Sequence, residues 1–85
     1  MPYRIYLRPA CARDLDALPS NTRERIERAI DLLAGNPRPH GSRKLVGFEH
    51  EWRLRVGDYR ILYVIDDSEK RVTIARVAHR REVYR

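Results

Sequence analysis

The sequence holds a single cysteine, Cys11, and only three histidines, His40, His50 and His79. A lone thiol excludes an intrachain disulfide, and scattered imidazoles without cysteine partners exclude a structural zinc site. No apolar run approaches the ~18 residues needed to cross a bilayer. Met1 to Arg8 lacks the apolar core of a signal peptide, so a soluble cytoplasmic protein with no membrane contact is expected. Lysine is scarce as well: of eighteen basic residues only Lys44 and Lys70 are Lys. What the chain has instead is arginine, sixteen of them, and a net charge of +6. Such an excess suits a polyanion, either nucleic acid or an acidic protein. The planar guanidinium fork grips phosphate at two points and stacks on bases.

Eighty-five residues make one domain, 1–85, with no room for a second. A chain of this size buries only roughly 60% of its unfolded surface, so a bound partner adds a large share of its stability. The hydrophobic fraction of 42% is enough for a packed core.

Tyr3 to Leu7 reads as a strand, with Tyr3, Ile5 and Leu7 on one face. Pro9 suits the first turn of a short helix that ends near Leu18 and places Cys11, Leu15 and Leu18 at i, i+4 and i+7. Asn21 followed by Glu24 is a capping-box variant opening a second helix, whose apolar stripe is Ile26, Ala29, Ile30 and Leu33. Gly35-Asn36-Pro37 ends it. The stretch from Arg38 to Gly47 reads as an exposed basic loop. Three strands follow: Glu51 to Val56, Tyr59 to Ile65 after a Gly57-Asp58 turn, and Arg71 to Ala78 after a polar loop. The expected fold class is α+β: an N-terminal strand, a two-helix hairpin, then a three-stranded antiparallel meander completing one small sheet.

The positive charge belongs to the sheet. Residues 1–40 carry seven basic and five acidic groups, residues 41–85 eleven and seven, and three of those seven acids sit in the loop 66–70. Alternation in Trp52-Arg53-Leu54-Arg55-Val56 puts both arginines on one face and the apolar residues on the other. A slip of one residue would bury two guanidinium groups at several kcal/mol each, so the register is secure. Arg60 shares its strand face with Leu62 and Val64, so that strand is expected to be covered on both faces, where a charge is costly unless the site uses it. Arg76 interrupts Ile74 to Ala78 and reads as a paired structural arginine. The tail from His79 to Arg85 concentrates polar side chains after the last strand; Val83 and Tyr84 either pack it against the sheet or work in a site.

Single-stranded RNA is a substrate that suits these groups. Its own 2′-hydroxyl can attack the neighbouring phosphorus, which requires no protein nucleophile, metal or other cofactor. The enzyme must orient the strand, move protons and stabilise negative charge, and arginines supply the last of these. Guanidinium is a poor base, because its pKa exceeds ~12. An imidazole ionises near ~6.5 and a phenol near ~10, which nominates His79 and Tyr84 as proton carriers while Arg53, Arg55, Arg60 and Arg80 hold phosphates. Trp52 points with Leu54 and Val56 and belongs to the core.

Two stretches, Trp52-Arg53-Leu54-Arg55-Val56-Gly57-Asp58-Tyr59-Arg60-Ile61-Leu62-Tyr63 and His79-Arg80-Arg81-Glu82-Val83-Tyr84-Arg85, resemble the RelE branch of the RelE/ParE toxin superfamily. The likeness runs along the whole chain. It implies a ribosome-dependent mRNA endonuclease, held inactive by a cognate antitoxin, with the ribosome and mRNA as its other partners. The family's basic residues before the turn fall at Arg53 and Arg55, and the arginine after it at Arg60. A further arginine and a near-terminal tyrosine match Arg80 and Tyr84. Some relatives carry a catalytic histidine beside that tyrosine, and His79 is offset from its place. Arg43, Lys44 and Arg81 are assigned to RNA binding. Well-known RelE members have lysines where Arg53 and Arg55 stand, which leaves the general base open; Lys44 is a candidate for that role or for a ribosomal RNA contact. A ParE-like gyrase inhibitor and a non-catalytic RNA-binding relative are the alternatives.

Overall fold

The computed structural model describes residues 2–45, 47 and 50–81. The chain begins with β1 (Arg4–Leu7), which leads into α1 (Pro9–Asp16). Pro9 lies in the first turn, where a fixed φ and a missing N–H carry no penalty. Cys11 and Leu15, one turn apart, are both buried. The second helix, α2 (Ser20–Leu32), starts a residue before the expected cap. Pro19, with φ −56°, occupies the N-cap without a side-chain hydrogen bond. Asn21 is thereby drawn into the first turn, where its Oδ1 accepts from the Thr22 amide. The capping box is not formed, because the proline already directs the chain into the helix. The apolar stripe is as expected: Ile26, Ile30 and Leu33 are buried and Ala29 packs against them.

The sheet has five strands rather than four. Besides β3 (Glu51–Val56), β4 (Tyr59–Asp66) and β5 (Arg71–His79), a short β2 (Ser42–Lys44) lies within the segment expected to be loop. Ser-Arg-Lys has no apolar alternation to announce a strand. It is extended because it pairs antiparallel with β3, Ser42 opposite Leu54 and Arg43 opposite Arg53. The strand order is β1-β5-β4-β3-β2. β1 runs parallel to β5 and every other pairing is antiparallel, so the sheet is mixed.

Both helices pack on one face. The core joins Cys11, Leu15, Ile26, Ile30 and Leu33 to Leu54, Ile61, Tyr63, Ile65, Val72, Ile74 and Val77 from the strands. Tyr63 is 1% exposed and donates its hydroxyl proton to the Pro37 carbonyl at 2.8 Å, which satisfies its one buried polar atom. β1 covers less than its pattern suggests. Tyr3 and Ile5 pack against the core, but Leu7 is 48% exposed at the sheet edge.

A bulge in β5 sets the phase of its second half. Leu62 pairs with Arg76 and Tyr63 with Ile74, so Ala75 is the extra residue. Asp14 of α1 holds this irregularity. It accepts from Arg76 Nε at 2.8 Å, from a second Arg76 nitrogen at 3.1 Å and from the Val77 amide at 2.9 Å. Arg76 is the paired structural arginine the sequence suggested. Beyond the bulge Val77 returns to the core face, Ala78 lies opposite Arg60, and His79 lies opposite Tyr59.

Candidate nucleic-acid interface

The second face of the sheet carries no described helix. β4 was expected to be covered on both sides, but Arg60, Leu62 and Val64 on this face are only half-buried. The reason is topological: both helices join the N-terminal strand to the rest and both lie on the other side.

Four arginines line a depression of about 470 Å³ on this open face, with Gly41 and Gly57 at its margin. They stand in two directly opposed pairs, Arg43 with Arg53 across β2 and β3, and Arg55 with Arg60 across β3 and β4. Residues opposite each other in an antiparallel pair have Cβ atoms about 4.5–5.5 Å apart, and like charges there repel. The usual remedy is a carboxylate, and five arginines elsewhere have one. Arg23, Arg38, Arg71, Arg76 and Arg80 each form an ion pair with an aspartate. Among the described residues no carboxylate pairs with Arg43, Arg53, Arg55 or Arg60. The nearest internal acceptor is a backbone one: Arg55 Nε donates to the Gly57 carbonyl at 3.4 Å.

Glu51 shares the open face with Arg53 and Arg55 by alternation but forms no ion pair with them among the described residues, and the two aspartates of the 66–70 loop are committed elsewhere. Asp67 binds Arg38 at 2.8 Å and accepts from Tyr3, which holds its carboxyl at about 2. Asp66 accepts from Ser68 and from the Glu69 amide, which lowers its pKa, and faces Arg71 at 3.5 Å. Asp66 and Asp67 are thus paired within reach of their own loop and do not offset the arginines of the open face. A depression ringed by unopposed guanidinium groups can hold consecutive phosphates or stabilise charge growing on one of them.

The structure brings Arg43, Arg53, Arg55 and Arg60 together. Arg80 lies close by, at the β3–β4 turn, where its amide donates to the Asp58 carbonyl at 2.7 Å and its guanidinium meets the Asp58 carboxylate at 3.7 Å. Arg80 itself does not line the depression, and neither do three other residues named from the sequence. His79 sits across the sheet: paired opposite Tyr59, it faces the helix side and meets that ring edge-on at 5.2 Å. Its Nδ1 accepts from the Arg81 amide at 3.2 Å. Lys44 is opposite Trp52, so alternation turns it away from Arg43. Arg81 is exposed in the turn after β5 and does not line the depression. Tyr84 lies outside the described residues.

Asp14 is the residue that sequence reading missed. It fixes the bulge that decides which way Ala78 and His79 point, and it is 62 positions from Arg76. No local pattern links two residues so far apart. A charged residue on α1 beside the buried Cys11 and Leu15 was the only hint.

The class of protein is an α+β domain with helices on one face of a mixed sheet and an arginine cluster on the other. Known proteins give the same answer more narrowly. Residues 5–84 match the profile described as ParE toxin of type II toxin-antitoxin system, parDE. The toxin RelG of Mycobacterium tuberculosis is 37% identical over 89 residues, covering 100% of this chain and 99% of that protein. The toxin RelE of the same organism is 35% identical over 85 residues, 99% of this chain and 88% of that protein. Among solved structures, the archaeal RelE-RelB complex from Pyrococcus horikoshii superposes with a TM-score of 0.85 at 27% identity, covering 98% of this chain and 100% of that one. The chain belongs to the ParE toxin family of type II toxin–antitoxin systems, as a RelE-like toxin of the RelE/ParE superfamily.

Proposed function

We propose that this toxin is a ribosome-dependent mRNA endonuclease that cleaves by attack of a 2′-hydroxyl on the adjacent phosphate. The observation that carries the reading is the pair of opposed arginine couples on the open face, Arg43 with Arg53 and Arg55 with Arg60, without carboxylate partners among the described residues. Such an arrangement costs stability in the free protein and is relieved by a bound phosphate. Arg53, Arg55 and Arg60 would hold the scissile phosphate and stabilise its extra negative charge, with Arg43 and Arg80 gripping the flanking backbone. Guanidinium groups do not take the 2′-hydroxyl proton at neutral pH. On the family resemblance that work falls to Tyr84, or to the RNA and ribosome themselves. His79 loses support as a proton carrier, because it faces the other side of the sheet.

A cognate antitoxin is the second partner of this reading. The relative from Pyrococcus horikoshii was solved with RelB, and an acidic segment that orders on contact complements a basic open face. The family profile is that of ParE, which favours one other reading, inhibition of gyrase through protein contacts. There the arginine face would be dispensable.

Primer extension on message in a translating extract tests the proposal, with wild type beside Arg60→Ala and Tyr84→Phe. Cuts with wild type that weaken in both variants support it. Intact message with all three proteins overturns it, and a supercoiling assay with purified gyrase then tests the ParE-like reading.

A further inference from the structure

The β3–β4 turn is approached by an arginine that no strand carries. Gly57 has a φ of +59° and lines the margin of the arginine depression. A Cβ built on it would lie 2.9 Å from one terminal nitrogen of Arg25 and 3.3 Å from that guanidinium's central carbon. The α2 side chain therefore lies flat against the bare turn, in space that only glycine leaves. Arg55 reaches the same residue through its Nε and the Gly57 carbonyl at 3.4 Å. Two guanidinium groups thus converge on one residue at the rim.

Arg25 has nothing local to neutralise it. Its helix neighbours at i−4, i−3, i+3 and i+4 are Asn21, Thr22, Arg28 and Ala29, none acidic and one basic. No ion pair involves it among the described residues. Asp58, the acid of the turn itself, faces Arg80 at 3.7 Å. The side chain is exposed. An arginine held against backbone, beside a second guanidinium and without a counter-charge, is placed to take an anion from solvent.

We propose that Arg25 is a phosphate-binding residue that extends the substrate path over the Gly57 rim onto α2. This rests on the reading of the open face as an RNA site. A single strand lying across Arg53, Arg55 and Arg60 leaves the depression beside Gly57, and its next backbone phosphate meets the Arg25 guanidinium. The glycine has a role in this beyond turn geometry. Any side chain at position 57 would lift Arg25 away from the rim.

The test measures binding of a fluorescein-labelled single-stranded RNA oligonucleotide by anisotropy over a range of KCl concentrations. Neutralising one phosphate contact lowers the slope of log K against log salt by ~0.7 for a single strand. Arg25→Gln is expected to weaken binding ~3- to 10-fold at low salt and to reduce the slope by that amount. Arg25→Lys keeps the charge and is expected to recover most of the slope; a role confined to packing on the turn would be lost in both variants. Arg13→Gln, an equal charge loss on α1, serves as the control with the slope unchanged. A slope for Arg25→Gln equal to that of Arg13→Gln overturns the proposal and leaves the open-face site standing. Failure of the wild type to bind the oligonucleotide also overturns the Arg25 proposal, while the open-face reading is decided separately by primer extension on translated message.

Discussion

Arg55 on β3 and Arg60 on β4 are direct cross-strand partners, so two guanidinium groups leave the same face side by side. Arg43 and Arg53 repeat the arrangement one strand further out. Every ion-paired arginine in the described structure meets an aspartate, and these four do not. Among the described residues, no carboxylate offsets the mutual repulsion of these two couples.

Activity and stability should therefore respond in opposite directions at Arg60. Loss of a preorganised charge-stabilising donor lowers catalysis by ~10²–10³-fold, and Arg60→Ala should show a fall of that order in single-turnover cleavage of ribosome-bound message. Relief of the repulsion with Arg55 contributes about 0.2–1 kcal/mol in the other direction. The thermal midpoint of Arg60→Ala should equal or exceed that of wild type. A lowered midpoint would mean that the arginine is structural and would sink the assignment.

His79 provides a contrasting case. A positioned proton carrier contributes ~10²–10⁴-fold, and this imidazole is directed at Tyr59 on the helix side of the sheet. The single-turnover rate of His79→Gln should stay well within that range of wild type. A loss of a hundredfold or more, with ribosome affinity unchanged, would return His79 to the mechanism.

Asp14 should matter to folding and to its acid limit. Burial raises its pKa, but hydrogen bonds from Arg76 and the Val77 amide, together with the Arg76 charge, outweigh that and lower it below 3.8. A depressed folded-state pKa stabilises the protein above the unfolded value, and this contribution disappears as pH falls through the folded one. Asp14→Ala should cost about 2 kcal/mol in urea denaturation at pH 7, since it removes a charge-assisted pair and strands a backbone amide. The gap to wild type should narrow as pH is taken below 3.8. A constant gap across that range would show that the carboxylate charge is not the cause.

Cys11 should be inert in the native protein. It is 0% exposed, and burial, followed by the negative charge of Asp14, pushes its thiol up to about 11. Since the thiolate is the reactive form, an aromatic disulfide reagent at pH 8 should leave it unmodified until denaturant is added. Stoichiometric labelling of the folded protein within minutes would contradict this packing.

Much of the fold was legible because alternation and helical period are local signals. Trp52 to Val56 announced β3 and its register, and Ile26, Ile30 and Leu33 announced the buried stripe of α2. Two local readings failed for identifiable reasons. Ser42 to Lys44 became a strand only through its partner β3, and Asn21 did not cap α2 because Pro19 had already set the chain direction. The face of Arg53 and Arg55 followed from alternation, whereas the likeness of His79 to a site residue rested on its nearness to the tail in sequence. A bulge at Ala75 reversed the alternation before His79, and nothing in Arg71 to His79 marks that position.

The sequence by itself determined that the chain is rich in arginine, that its helices are amphipathic, and that Arg53 and Arg55 share a face away from the core. Each of these depends on composition or on spacings within a few residues. Only the tertiary structure decided that Arg43 and Arg60 join them, that Arg76 belongs to Asp14, and that His79 and Lys44 face the other way. Those outcomes depend on strand pairing, on a bulge and on contacts between residues up to 63 positions apart. They are settled by which backbone groups can be satisfied together once the sheet has formed.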